Sequence, residues 1–424
     1  MSLSDTKPSP AALASAAELA SRFDPFRDPY LADPYPFFAE ARAACPIFYS
    51  PALDYWIVTR YAEVRRIFQE PKLFSAANAL SPISPLCPQA QSILAQGRFS
   101  ADPVLTNADP PAHTRVRRLA NIAFTPRRVA TMESFIRELT TRFMRERFVN
   151  GRVDLIRELA WELPALVVFR VLGVPDRDVP RVKAGAENRQ LFMFGHPDKE
   201  QQIDLAGGMA TFWNYAQELV EARSAEPRDD FTSDLILARD HELPALSTHE
   251  VTTVVFALLF AGHETTTSLI GNTLRRTLTD RDAWNEICRD PRLVPGAVEE
   301  VLRFDSSVIA WRRRTTQAVQ IGGVALPADA NLLLLIGSAN RDPEVFEAPE
   351  RFDIHRANAG EHLAFGHGAH FCLGAPLARL EARVVLEEIS ARYPSMRLVQ
   401  GQTLQFLPNT SFRGPLALLA EWDS

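Results

Sequence analysis

Phe365-Gly366-His367-Gly368-Ala369-His370-Phe371-Cys372-Leu373-Gly374 is the stretch on which the reading of this chain turns. A thiol follows a glycine-rich loop and directly precedes a helical pattern over residues 375–391. Glycine reaches φ > 0 and lets backbone approach a flat partner where a Cβ would collide. A helix start adds unpaired N–H groups and partial positive charge, which lower a thiol pKa. A thiolate held in this way suits the axial position on haem iron, to which it pushes electron density. Two plainer readings stand beside that one. Cysteine is often a small buried hydrophobe, and His362, His367, His370 and Cys372 are of the residue types that bind zinc.

The rest of the composition narrows the field. The chain has 424 residues, 46% hydrophobic and 23% charged, as expected of a folded globular protein. Its formal net charge of -6 gives no reason to expect nucleic acid as a partner. Cys45, Cys87, Cys288 and Cys372 lie far apart, which excludes a disulfide framework, a zinc ribbon and a cysteine-ligated iron–sulfur cluster. The longest uninterrupted apolar run is residues 254–261, well short of the roughly 20 that span a membrane. Residues 1–23 show no basic region leading into an apolar one, so no signal peptide and no membrane partner are expected. Free thiols and the lack of such a signal point to the cytoplasm.

Along the chain, residues 1–24 read as a flexible Ala/Ser/Pro leader and residues 25–424 as one domain. Residues 47–59 alternate around Ser50-Pro51-Ala52 and predict a hairpin. Pro82, Pro85, Pro88 and Pro103 mark residues 75–105 as a long loop, a feature that is usually functional. Helical spacing covers 111–123, 126–147, 151–172, 178–193, 199–224 and 248–279, with strands expected at 318–321, 330–335, 397–399 and 411–418. The fold class is therefore mainly α with a minor β portion.

On the 248–279 helix, Ala257, Ala261 and Thr265 recur every fourth residue and share one face. Two small residues and a hydroxyl make a shallow surface, against which a flat cofactor and a diatomic ligand could lie. Threonine also bonds back to a carbonyl one turn earlier, which opens a helix. Glu264 beside it could supply protons. The plain alternative is a mid-helix Gly262 at a helix crossing with the threonines partly buried. Elsewhere, His113 and Arg117 sit four apart on one face, and Glu300 and Arg303 three apart.

Phe-Gly-x-Gly-x-His-x-Cys-x-Gly resembles the haem-binding loop of the cytochrome P450 superfamily, and Ala261-Gly262-His263-Glu264-Thr265-Thr266 resembles that family's oxygen-activation motif. The resemblance runs from about residue 25 to the C-terminus. It implies a single P450 fold, with haem b between the long distal helix and the Cys372 loop. Cys372 would be the iron ligand, with Phe365, Gly366, Gly374 and Ala261 against the cofactor. His113, Arg117, Arg313 and His370 would hold the propionates. Thr265 and Glu264 would manage oxygen and protons. Glu300, Arg303 and Arg351 would form a structural triad. Leu258, Ala261, Val308, Ile309 and Phe412 would face the substrate, beside Leu191, Phe192, Met193 and Phe194.

The implied reaction is monooxygenation of a small or medium hydrophobic substrate with O2 and NAD(P)H-derived electrons. A peroxide-driven peroxygenase and a haem-based gas sensor or carrier are the alternatives. No G-x-G-x-x-G follows a strand, so the electrons must come from a reductase. Trp311-Arg312-Arg313-Arg314-Thr315, residues 331–340 and Asn409-Thr410-Ser411-Phe412-Arg413-Gly414 most resemble bacterial self-sufficient members, whose haem domain is fused to an FMN and 2Fe-2S reductase of phthalate-dioxygenase-reductase type. FMN and 2Fe-2S are thus expected only on a partner or a further domain. Arg115, Arg117, Arg118, Arg127 and Arg128 lie on the helix that borders the family's docking face, or form an ordinary solvated strip.

Overall fold

A computed structural model describes residues 10–184, 189–239 and 245–423. Helices dominate, as the periodicity predicts, and capping boxes mark where two of them begin. Asp198 accepts from the Gln201 amide at the start of Lys199–Ala225, and Ser247 accepts from Glu250 at the start of Thr248–Ala261. These two helices pack against each other. The expected 248–279 helix is broken at Gly262 and His263 and resumes as Glu264–Thr279. There is no room for a side chain at the break: a Cβ at Gly262 would come within 2.8 Å of Val168 Cγ2.

Glu264–Thr279 packs on Ala375–Arg392, the helix that follows Cys372, and that helix packs in turn on Glu133–Arg147. Val254, Val255, Leu259, Ile270 and Leu274 join Val384, Val385 and Ile389 in one continuous core. By length and composition, Thr248–Thr279 is the one stretch among the described residues that could cross a membrane, yet most of it is core.

The β portion holds a five-stranded sheet, in the order Ile47–Ser50, Tyr55–Val58, Asn331–Leu334, Trp311–Thr315 and Phe74–Ser75. The expected hairpin is present, with Ile47 opposite Val58. Trp311–Thr315 escaped the sequence reading because its Arg312-Arg313-Arg314 core lacks apolar alternation. A smaller sheet joins Arg152–Asp154, Leu419–Glu421 and Arg397–Leu398.

Several expectations need correction. Residues 151–172 do not form one helix: the chain turns at Gly151 (φ 68), pairs Arg152–Asp154 with Leu419–Glu421, and becomes helical only afterwards. The 411–418 strand is absent, its chain being taken by isolated bridges such as Val308 to Phe412. The 75–105 loop contains a helix, Pro88–Gln96, because Pro88 is tolerated in a first turn. Residues 185–188, inside the expected 178–193 helix, lie outside the described residues. Within the expected leader, Pro10–Arg22 is a helix, and Leu19 and Phe23 are buried against Phe37 and Phe48.

Candidate active site

Backbone geometry builds the Cys372 loop. Gly366 (φ 70) and Gly368 (φ 71) occupy the left-handed region, and a Cβ on Gly368 would lie 2.6 Å from the Phe68 carbonyl. The Gly366 amide donates to the Leu363 carbonyl (2.8 Å) and the Cys372 amide to the Phe365 carbonyl (2.9 Å), which closes the turn. Phe365 carries the Arg379 guanidinium over its ring at 4.6 Å. Arg379 and His362 both reach Glu299, at 2.5 and 3.2 Å. Burial would raise the Glu299 carboxyl, but these two partners hold it down at about 2.

Cys372 is exposed, although protein surrounds it closely enough to desolvate its thiol. Burial pushes its thiol up, contrary to the expectation from the helix start alone; the amides of Gly374 and Ala375 and the cations Arg117 and Arg379 pull the other way.

On the distal side, the Thr265 hydroxyl donates to the Ala261 carbonyl at 2.8 Å, the bond expected from the sequence. Ala261 is exposed and Thr265 half-buried although their neighbours Leu259, His263 and Glu264 are buried, so this face lines an opening. Glu264 Oε2 accepts the Gln190 amide at 3.2 Å, while Oε1 has no partner among the described residues. Burial pushes this carboxyl up to about 7, against the pull of Arg189. Arg189, which the sequence reading missed, stacks 3.5 Å from the Phe212 ring. His263 bonds the Trp161 carbonyl at 2.7 Å, and burial pushes its imidazole down to about 4.

The four expected anchors converge. The His113 and His370 rings stack with centroids 4.0 Å apart. Arg313 bears electrostatically on both, and Arg117 on His113 and Cys372. Arg313 is buried, and burial lowers it to about 10; the same burial, with Arg313 and His113 nearby, takes His370 to about 3. Both His113 nitrogens and His370 Nε2 are buried with no hydrogen-bond partner among the described residues. Buried donors normally have acceptors. Cations and orphaned imidazoles clustered beside a thiol loop fit a flat, doubly carboxylated group such as haem. A zinc site does not fit, because His362 turns to Glu299 and His367 to Gln69.

The structural triad is present with one substitution of role. Glu300 and Arg303 pair at 2.7 Å with neither exposed. The second cation is Arg356, 3.2 Å from the same carboxylate. Arg351 points its side chain outward and lends only its carbonyl to Arg303.

Val308, Phe412, Phe194 and Trp311 come together, with Phe194 and Phe412 rings edge-to-face at 4.8 Å and Trp311 beside both. Leu258 is half-buried one turn before the Gly262 break. Ile309 leaves this group, because its side chain turns toward Gly337. In the basic strip, Arg115 is paired with Glu250 and Arg128 with Asp234.

A thiol loop heading one helix, an alcohol and an acid at the break of another, and cations seeking carboxylates define a helical oxidoreductase assembled around a planar dianionic cofactor. Residues 204–400 match the family Cytochrome P450. The cytochrome P450 monooxygenase PikC of Streptomyces venezuelae is 35% identical over 401 residues, covering 93% of this chain and 92% of that protein. The P450 heme domain of Tepidiphilus thermophilus superposes with a TM-score of 0.93 at 38% identity, covering 96% of this chain and 98% of the other. An intact type IV self-sufficient cytochrome P450 monooxygenase superposes equally well, with a TM-score of 0.93 at 39% identity over 96% of this chain and 53% of the longer one. The chain belongs to the cytochrome P450 family. It is a P450 monooxygenase, and the family implies haem with a cysteine thiolate.

Proposed function

We propose that Cys372 is the iron ligand and that the enzyme oxygenates a small or medium hydrophobic molecule by hydroxylation, O-dealkylation or heteroatom oxidation. The observation that carries this is the set of orphaned, buried nitrogens on His113 and His370 beside Arg313 and Arg117. His113, Arg117, Arg313 and His370 would hold the propionates of haem b, and Phe365, Gly366, Gly374 and Ala261 would lie against its faces. Bound there, the haem supplies activation of O2, one atom of which enters the substrate while the other leaves as water.

The protein's own contribution is proton management and exclusion of water. Glu264 is poised near neutrality, so it can both take and give a proton at Oε1. Thr265 Oγ can pass that proton to the distal face once it releases the Ala261 carbonyl. Leu258, Val308, Phe194 and Phe412 offer apolar surface to substrate.

Electrons would come from NAD(P)H through a reductase carrying FMN and 2Fe-2S, docked at the proximal face or fused as in the self-sufficient relative. The unpaired sequence positions of the cysteines favour a cytoplasmic setting. The test is the spectrum of the dithionite-reduced protein with carbon monoxide. A thiolate-type Soret band supports the assignment, and its absence in haem-loaded protein refutes it.

A further inference from the structure

Arg312 and Arg313 are neighbours on strand Trp311–Thr315, so their side chains leave opposite faces of the sheet. Arg313 goes to the imidazole pair. Arg312 goes instead to a junction of three segments, fully buried, with no carboxylate paired to it among the described residues. Its Nη1 donates to the Ser81 carbonyl at 2.5 Å and its Nη2 to the Met193 carbonyl at 3.2 Å. The guanidinium also sits 4.4 Å from the centre of the Phe194 ring. Burying a cation without a counter-charge is unfavourable. Here the Ser81 and Met193 carbonyls offset that cost.

The segment of Met193 carries Phe194, which meets Phe412 and Trp311 at the proposed substrate face, and with the segment of Ser81 it is read as the roof of that face. The Ile83 amide donates to the same Met193 carbonyl at 3.2 Å, so the 81–83 stretch and the Gln190–Phe194 helix meet at Arg312. A helix of five residues does not hold itself together. It is pinned at its start by the Gln190 amide on Glu264, and at its end by Arg312 and by the Thr410 amide on Phe194.

We infer that Arg312 is a positioning residue that latches this roof, and so limits the size of molecule that reaches the distal face. The inference rests on the proposed reading of a pocket above a haem. It also couples roof to proton relay: if the helix lifts at Met193, the Gln190 contact to Glu264 loosens at its other end.

Azoles test this without knowledge of the natural substrate. Association of imidazole and of 1-tritylimidazole is followed by the Soret shift in haem-loaded wild type, Arg312→Met and Arg312→Gln. Loss of a charge-assisted hydrogen bond predicts about a tenfold faster association of 1-tritylimidazole in Arg312→Met, with imidazole changed by less than about twofold. Arg312→Gln, which keeps one donor group, should lie between. Amide exchange should speed up at Ile83 but not at Val399, whose amide bonds Leu419 at the far sheet.

A residue that only stabilises the fold would leave the ratio of the two azole rates unchanged, and that result overturns the inference. So does loss of haem in both variants, which would make Arg312 a folding residue. A wild type that gives no shift even with imidazole removes the pocket reading itself, and the latch with it.

Discussion

Arg356 reaches the Glu300 carboxylate at 3.2 Å, and this cation rather than Arg351 completes the buried cluster around Arg303. Breaking a buried pair strands a charge at a cost of about 3–5 kcal/mol. Arg356→Ala and Glu300→Ala should therefore give little haem-loaded protein and a much lower urea midpoint. Arg351→Ala, on a side chain that faces solvent, should stay within about 0.5 kcal/mol of wild type. Equal losses in Arg351→Ala and Arg356→Ala would contradict the geometry.

Glu264 predicts a pH dependence with a definite sign. Its folded pKa, about 7, exceeds its ordinary 4.5, so the folded state binds the proton more tightly. That contribution to stability is complete below the ordinary value and is lost as pH rises through 7, about 3 kcal/mol at most by linkage. Glu264→Gln should flatten this part of the stability–pH curve in urea titrations. The same variant should slow turnover by about a hundredfold, the usual loss when a positioned acid is removed. A stability slope unchanged from wild type would show that the carboxyl does not carry it.

Thr265→Ala should retain haem and still consume NAD(P)H, with much of the consumption appearing as hydrogen peroxide. Thr265→Ser keeps the hydroxyl and should keep product formation coupled to consumption. Peroxide yield per NAD(P)H separates them; full coupling in the alanine variant would exclude Thr265 from the relay.

Gly368 and Gly401 share a left-handed backbone, φ 71 and 73, but differ in their surroundings. An alanine at Gly401 meets nothing within 4 Å and should cost only the conformational penalty, about 1 kcal/mol. An alanine at Gly368 collides with the Phe68 carbonyl and must move the thiol loop as well. Haem content after purification should fall for Gly368→Ala and not for Gly401→Ala.

Much of this is legible in the sequence alone. The Cys372 loop, the alcohol–acid pair and the His113–Arg117 spacing are local patterns, and local patterns survive into the fold. Trp311–Thr315 was not legible, because three arginines hide a strand whose Arg312 and Arg313 are buried by partners distant in sequence. Arg356 was missed for the same reason: only the folded chain shows which of two nearby arginines turns inward. Arg189 carries no motif, and its relation to Glu264 exists only where two helices meet.

The most direct test of the central claim replaces the sulfur. Cys372→Ser, reconstituted with haem, reduced and exposed to carbon monoxide, should lose the thiolate Soret signature that wild type shows. A variant whose reduced carbon monoxide spectrum matches wild type would contradict the assignment of Cys372 as the ligand.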